Sequence, residues 1–225
     1  MINRQHNELI GLGVYTLQEA SLYGLLSSNK LSRWVFGTNK YPPVIESQLS
    51  SQRLVSFYDL VQAMAINTAR EHGISLHKIR KAINNAKSYG IELPLAYNHK
   101  LILFANNLYI LFPNQTMTQV TGQPIGQTAM VPIAEPFMQD LHFDPEGLAK
   151  LFTPFAKYGR QIILDPQRQF GHPLVGETGY RADVLDKAFS IEKSTEFVAS
   201  AYNIDVKDIK AAVAYMKYLR MRRAA

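Results

Sequence analysis

The sequence predicts a mainly α protein with a small β portion: a helix-turn-helix head, a β-rich middle segment and a C-terminal group of three helices. Three observations carry that expectation. Apolar residues recur every three or four positions near both ends of the chain, the spacing changes to that of strands after Pro94, and the charge changes sign twice. Residues 1–90 hold ten Lys/Arg against five Asp/Glu (net +5), residues 91–146 one against five (net −4), and residues 147–225 thirteen against eight (net +5). The alternation argues for separate modules, drawn at 1–97, 98–146 and 147–225.

In the first module, Thr16 and Glu19 have the spacing of a capping box, so a helix is expected from Leu17. Leu17, Ala20 and Leu25 are placed toward a core, with Gly24 and Ser27-Ser28 as the break. A second helix over about 29–36 stops at Gly37, with Leu31, Val35 and Trp34 turned inward. The prolines of "KYPPV" impose an extended connector. Ser56 with Asp59 and then Ser75 cap two longer helices, closed by Gly73 and Gly90, and the outward face of the second presents Lys78, Arg80, Lys81 and Lys87.

In the middle segment, "HKLILFANNLYILF" reads as two strands joined near Asn106-Asn107, followed by strands at "TMTQVT" and "GQTAMVPIAEPF". This segment is expected to hold most of the β-structure. In the last module a strand at "RQIILDP" and a Gly/Pro-rich loop lead to helices over about 181–189, 193–202 and 206–220. Phe197, Ala201 and Tyr202 are expected to close a small core against Ile209, Val213 and Met216. Asp205 is placed as the cap of the last helix. Its outward face would then carry Lys207, Asp208, Lys210, Ala211, Ala214 and Lys217.

Composition narrows the function. The chain has 225 residues, a net charge of +6 and no cysteine, which removes disulfides, zinc fingers and thiolate chemistry. No apolar run reaches membrane-spanning length and no signal-peptide core is visible, so a cytoplasmic location is expected. The six histidines are scattered, with no metal-ligand spacing. No P-loop, dinucleotide loop or nucleophile elbow stands out, so neither an enzyme nor a cofactor is expected. The basic balance suits a polyanion.

The helix over 29–36 is the leading DNA-reading element. Asn29 and Arg33 lie four apart on one face beside Ser32 and can bond base edges, while Ser28 and Lys30 suit phosphates. Lys78, Arg80 and Lys81 can follow the phosphate backbone. The hairpin tip at Asn106-Asn107 reads as a plain turn or as a wing. The C-terminal helix pair also has helix-turn-helix spacing. Its alanines and mixed charges suit a protein partner or a second subunit better than bases.

Two longer stretches carry a resemblance. "VSFYDLVQAMAINTAREHGISLHKIRKAINNAKSYGIELPLA", with "SRWVFG" before it, resembles the head of proteins with a MerR-like helix-turn-helix. "LDPQRQFGHPLV" and the helices after it, through "VASAYNI" and "DIKAAV", resemble the domain of unknown function 433. Together, over almost the whole chain, they are similar to VapB-type antitoxins that carry this domain. The resemblance implies a winged or MerR-like head, a homeodomain-like three-helix C-terminal domain and a non-enzymatic antitoxin. Such a protein would form a homodimer, bind operator DNA as an autorepressor and neutralise a PIN-like ribonuclease toxin. Arg220, Arg222 and Arg223 are then candidate toxin contacts, able to neutralise a carboxylate cluster. A stand-alone transcription regulator and a protein–protein adaptor are the other readings.

Overall fold

The computed structural model describes residues 11–104, 107–113, 131–133 and 135–224. They form a mixed α/β protein with seven α-helices and three small antiparallel sheets. Strand β1 (Val14–Tyr15) leads into α1 (Leu17–Tyr23) and α2 (Ser28–Val35). The connector after α2 reaches β2 (Val55–Ser56), which pairs with β1, and then α3 (Phe57–Glu71) and α4 (Leu76–Ser88).

The expected caps form. Thr16 and Glu19 bond reciprocally at the start of α1, Ser56 and Asp59 at the start of α3, and Ser75 accepts the Lys78 N–H at α4. Leu31, Val35 and Trp34 are buried as expected. Leu25 is not: it is 48 % exposed, and Leu26 fills the core instead. The cause is the turn. Leu25 adopts φ 53, and the Leu26 N–H bonds back to the Ser21 carbonyl, which swings the Leu25 side chain out. Gly24 serves closeness rather than handedness, since a Cβ there would sit 2.6 Å from Leu60 Cδ1.

In the middle, β3 (Lys100–Phe104) pairs with β4 (Asn107–Leu111) and with β5 (Val131–Ile133). Phe104 faces Asn107 across the ladder, so Asn107 is a strand residue, while Asn106 lies outside the described residues. The stretch "TMTQVT" also lies outside them.

Strand structure continues past the middle segment. Among the described residues the largest sheet is four-stranded, in the order β6 (Leu141–Phe143), β7 (Ala149–Lys157), β8 (Arg160–Leu164) and β9 (Leu174–Val175). The sequence underplays it because β7 interrupts its alternation with Pro154 and a register shift between Phe152 and Phe155. Helices α5 (Ala182–Glu192), α6 (Thr195–Tyr202) and α7 (Val206–Ala224) follow.

The C-terminal helices do not close a core by themselves. Helix α7 packs on β7, β8 and β9 as well as on α5 and α6. Val198 and Ala199 turn inward, while Phe197 is 58 % exposed and Ala201 is also exposed. Ala211 is fully buried, and Asp208 is 4 % exposed, where Arg160 Nε donates to its Oδ1 at 2.5 Å. The sheet therefore claims part of the face expected to be outward. Asp205 accepts the Lys207 N–H at 2.7 Å, and the Asp205 N–H donates to Asp208 at 3.0 Å, so both acids close the first turn.

The two ends of the chain share one continuous core. Tyr15, fully buried, donates its hydroxyl to the Gly171 carbonyl at 2.9 Å. A Cβ on Gly171 would lie 2.3 Å from that hydroxyl, and the residue has φ +82, so only glycine fits. His172 stands edge-on to Tyr15, with Glu19 3.9 Å from its Nδ1. Burial holds its pKa below the ordinary 6.5, with the Arg181 charge adding to the effect.

Two measurements check this junction. Tyr15→Phe leaves a buried carbonyl unpaired and should cost about 1–3 kcal/mol in chemical denaturation. Gly171→Ala should cost more, and combining it with Tyr15→Phe should cost less than the sum, because the colliding oxygen is gone. His172 binds protons less readily folded than unfolded, so its contribution is full above the unfolded pKa and is lost as pH falls below about 6.5. His172→Gln should flatten that part of the stability–pH curve.

Candidate nucleic-acid interface

Helix α2 presents Ser28, Asn29, Lys30 and Arg33 to solvent, with Ser32 half-buried beside them. Arg33 is steadied by its own helix, Nε donating to the Asn29 carbonyl at 3.2 Å. Neither Lys30 nor Arg33 has a carboxylate within ion-pairing distance among the described residues.

The connector after α2 folds back rather than running free. Gly37 adopts φ +73, and a Cβ there would lie 2.9 Å from the Pro43 nitrogen and from the Tyr41 carbonyl oxygen. The N–H groups of Val44 and Ile45 both donate to the Trp34 carbonyl, at 2.7 and 2.9 Å. From α4, Arg80 donates to the Pro42 carbonyl, and Lys87 pairs with Glu46 at 2.5 Å. Of the four cations expected on the outward face of α4, Arg80 and Lys87 thus clamp the connector. Lys78 is half-buried and Lys81 exposed.

This folding opens a groove of about 680 Å³ between α2 and α4. Lys30 and Arg33 line one wall, and Arg70, His77 and Arg80 line the other, with Trp34 and Tyr41 between them. Glu71 is the one acidic residue in the lining, and Asn67 donates to it at 2.7 Å. The structure therefore brings Lys30, Arg33 and Arg80 together and leaves Lys78 and Lys81 off this groove. Arg70 and His77 escape a reading of the sequence because they flank the α3–α4 turn, where no periodicity marks a shared surface.

The C-terminal arginines have different settings. Arg220 makes a two-point ion pair with Asp186, at 2.7 and 3.3 Å, so its guanidinium is engaged inside the chain. Arg222 lies over the Tyr218 ring at 5.6 Å and borders a depression shared with α1, Leu25 and Ser28. The Arg223 side chain lies outside the described residues. On α7, Lys210, Ala214 and Lys217 line a third depression with Lys157, Phe155 and Tyr218.

The buried pair His99 and Glu135, 3.3 Å apart, lies in the interior between β3 and the segment before β6, away from the groove lining. Among the described residues no group of three His, Asp or Glu could hold a metal, and no helix is long and apolar enough to cross a membrane.

No family model matches the chain. A Mycobacterium tuberculosis protein described as a candidate antitoxin, VapB45, is 26% identical to it over 194 residues, spanning 76% of this chain and 81% of that protein. The crystal structure of Rv2018 from Mycobacterium tuberculosis is similar in fold, with a TM-score of 0.59 and 20% identity over 88% of this chain and 96% of that one. The chain is thus distantly similar to an antitoxin of the VapB kind and shares its overall fold with a solved protein.

Proposed function

We propose that this protein is an antitoxin that binds its own operator DNA as a homodimer and neutralises a PIN-like ribonuclease toxin. The observation that supports DNA binding is the groove between α2 and α4, where Lys30 and Arg33 have no carboxylate partner among the described residues and share the lining with Arg70, His77 and Arg80. Concentrating cations on one concave face raises the local potential that a phosphate backbone meets, and binding releases its counterions. In this reading Asn29 and Arg33 reach base edges, Ser28, Ser32 and Lys30 hold phosphates, and Arg80, Lys78 and Lys81 extend the backbone contact along α4. The distant likeness to a VapB antitoxin supports the toxin partner and a non-enzymatic role.

For the toxin, Arg222 and Arg223 carry the proposal more readily than Arg220. A carboxylate from a partner would have to displace Asp186 before it could pair with Arg220.

Fluorescence anisotropy on the gene's upstream duplex and on a scrambled duplex tests the DNA reading. Arg33→Ala should weaken binding to the upstream duplex by about 1–3 kcal/mol and erase the preference for it. Lys30→Ala should weaken both duplexes alike and lower the salt slope by about one. Equal, steeply salt-sensitive binding of the parent protein to both duplexes would refute specific readout. For the toxin, co-expression with the product of the adjoining reading frame should show growth inhibition returning with Arg222→Ala/Arg223→Ala. Undiminished protection by that variant would remove these arginines from the contact.

A further inference from the structure

Helix α5 carries two apolar stripes, and the fold covers one of them. Ala182 and Leu185 turn inward and are fully buried. Val184, Lys187, Ala188, Ile191 and Glu192, spaced as one helical face, turn the other way. They line a groove of about 460 Å³ with Phe197 and Tyr202 of α6. Val184 is 40 %, Phe197 58 % and Ile191 67 % exposed. Single exposed apolar residues are ordinary on a protein surface, but a contiguous set on rigid helices marks an interface.

The charges in this groove say what covers it. Lys187 and Glu192 are the charged residues of its lining, and neither makes an ion pair among the described residues. An acidic partner would leave Glu192 opposed, and a basic one would leave Lys187 opposed. A second copy of the same face satisfies both, because a two-fold axis makes each copy present its cation to the other's anion. Set two α5 helices antiparallel with the axis at the level between Phe189 and Ser190. Lys187 then stands opposite Glu192 of the other copy, and Ala188 opposite Ile191. One register thus satisfies two independent requirements, opposite charge and small against large. The lysine-lined depression at α7 behaves otherwise, since Lys157, Lys210 and Lys217 would repel their own copies there.

We infer that the α5–α6 face is a self-complementary homodimer interface, built by antiparallel packing of α5 on α5 with reciprocal Lys187–Glu192 pairs. Each chain buries Ile191 against Ala188 of the other copy, and Phe197 and Val184 extend the apolar seam on either side of the axis. The interface supplies the two-fold that paired DNA half-sites require, and in that respect it rests on the reading above. Association is a property of the protein alone and is measured without DNA: a monomeric parent removes the homodimer of that reading as well, whereas a dimer indifferent to Ile191→Asp removes this interface and leaves that reading standing.

Sedimentation velocity of the full chain over a concentration series is the test. The parent protein should sediment as a dimer and Ile191→Asp as a monomer. Lys187→Glu should weaken the dimer by about tenfold or more, since it sets like charges together at two symmetric places. Lys187→Glu/Glu192→Lys should restore most of the affinity. Far-UV circular dichroism and the thermal midpoint at dilutions where every form is monomeric should match, because these side chains are exposed at the surface of α5 and make no ion pair among the described residues. A monomeric parent, a dimer indifferent to Ile191→Asp, or a double exchange no tighter than Lys187→Glu would each overturn the interface.

Discussion

The hydrogen bond from the Tyr15 hydroxyl to the Gly171 carbonyl joins residues 156 apart in sequence, in a site closed to solvent. Around it the head and the C-terminal region become one body. Strand β1 rests on the turn at Gly171, α1 touches α7, and Tyr15 stacks edge-on against both Tyr23 and His172. A hydroxyl in such surroundings is stabilised by its partner and strongly resists ionisation, and burial raises the Tyr15 pKa accordingly. The long loop that this contact closes carries an entropic cost, so the joint relies on the shared apolar core as well as on one polar contact. A consequence is that the α1–α2 pair is not a freely tethered head. Its first helix is held by the chain's far end.

The same economy governs the groove. Its cations come from α2, from the end of α3 and from the start of α4, and no stretch of sequence holds them together. They converge because the two-proline connector is pinned between two helices, with Val44 and Ile45 held by the Trp34 carbonyl of α2 and Pro42 and Glu46 held by Arg80 and Lys87 of α4. Arg80 thereby has two tasks. It lines the groove and secures the wall opposite. Gathering like charges on one face is unfavourable for the isolated protein, and a polyanion relieves that repulsion.

At the other end of the molecule, charge sorts the surfaces. Asp208 is withdrawn from α7's outer face by Arg160, which also reaches Asp205 at 3.3 Å. Lys207, Lys210 and Lys217 remain exposed on that helix, and the last two border a groove they share with Lys157. The α5–α6 face keeps one charge of each sign and suits its own copy. Two depressions of similar size, about 470 and 460 Å³, thus differ in charge: the charged lining of one is lysine alone, and that of the other is one lysine and one glutamate.

Local chemistry was legible in the residues themselves. The caps at Thr16, Ser56 and Ser75, the inward Leu31, Trp34 and Val35, and the positions of all seven helices follow from side-chain spacing, since each depends on atoms three or four residues apart. Lys30 and Arg33 were equally visible as exposed cations on a short amphipathic helix. Tertiary structure decided what spacing cannot express. Whether Phe197 or Val198 is buried depends on the sheet lying under α7, and the burial of Asp208 depends on an arginine 48 residues away. Leu25 was lost to the core because it takes the left-handed position of its turn, while Gly24 stays right-handed and leaves room for Leu60. The sequence by itself determined which segments are helices and which ends of the chain are basic, because those properties are local. Only the tertiary structure decided which basic residues share a surface and which apolar stripe stays uncovered, because both are settled by contacts between segments far apart in the chain.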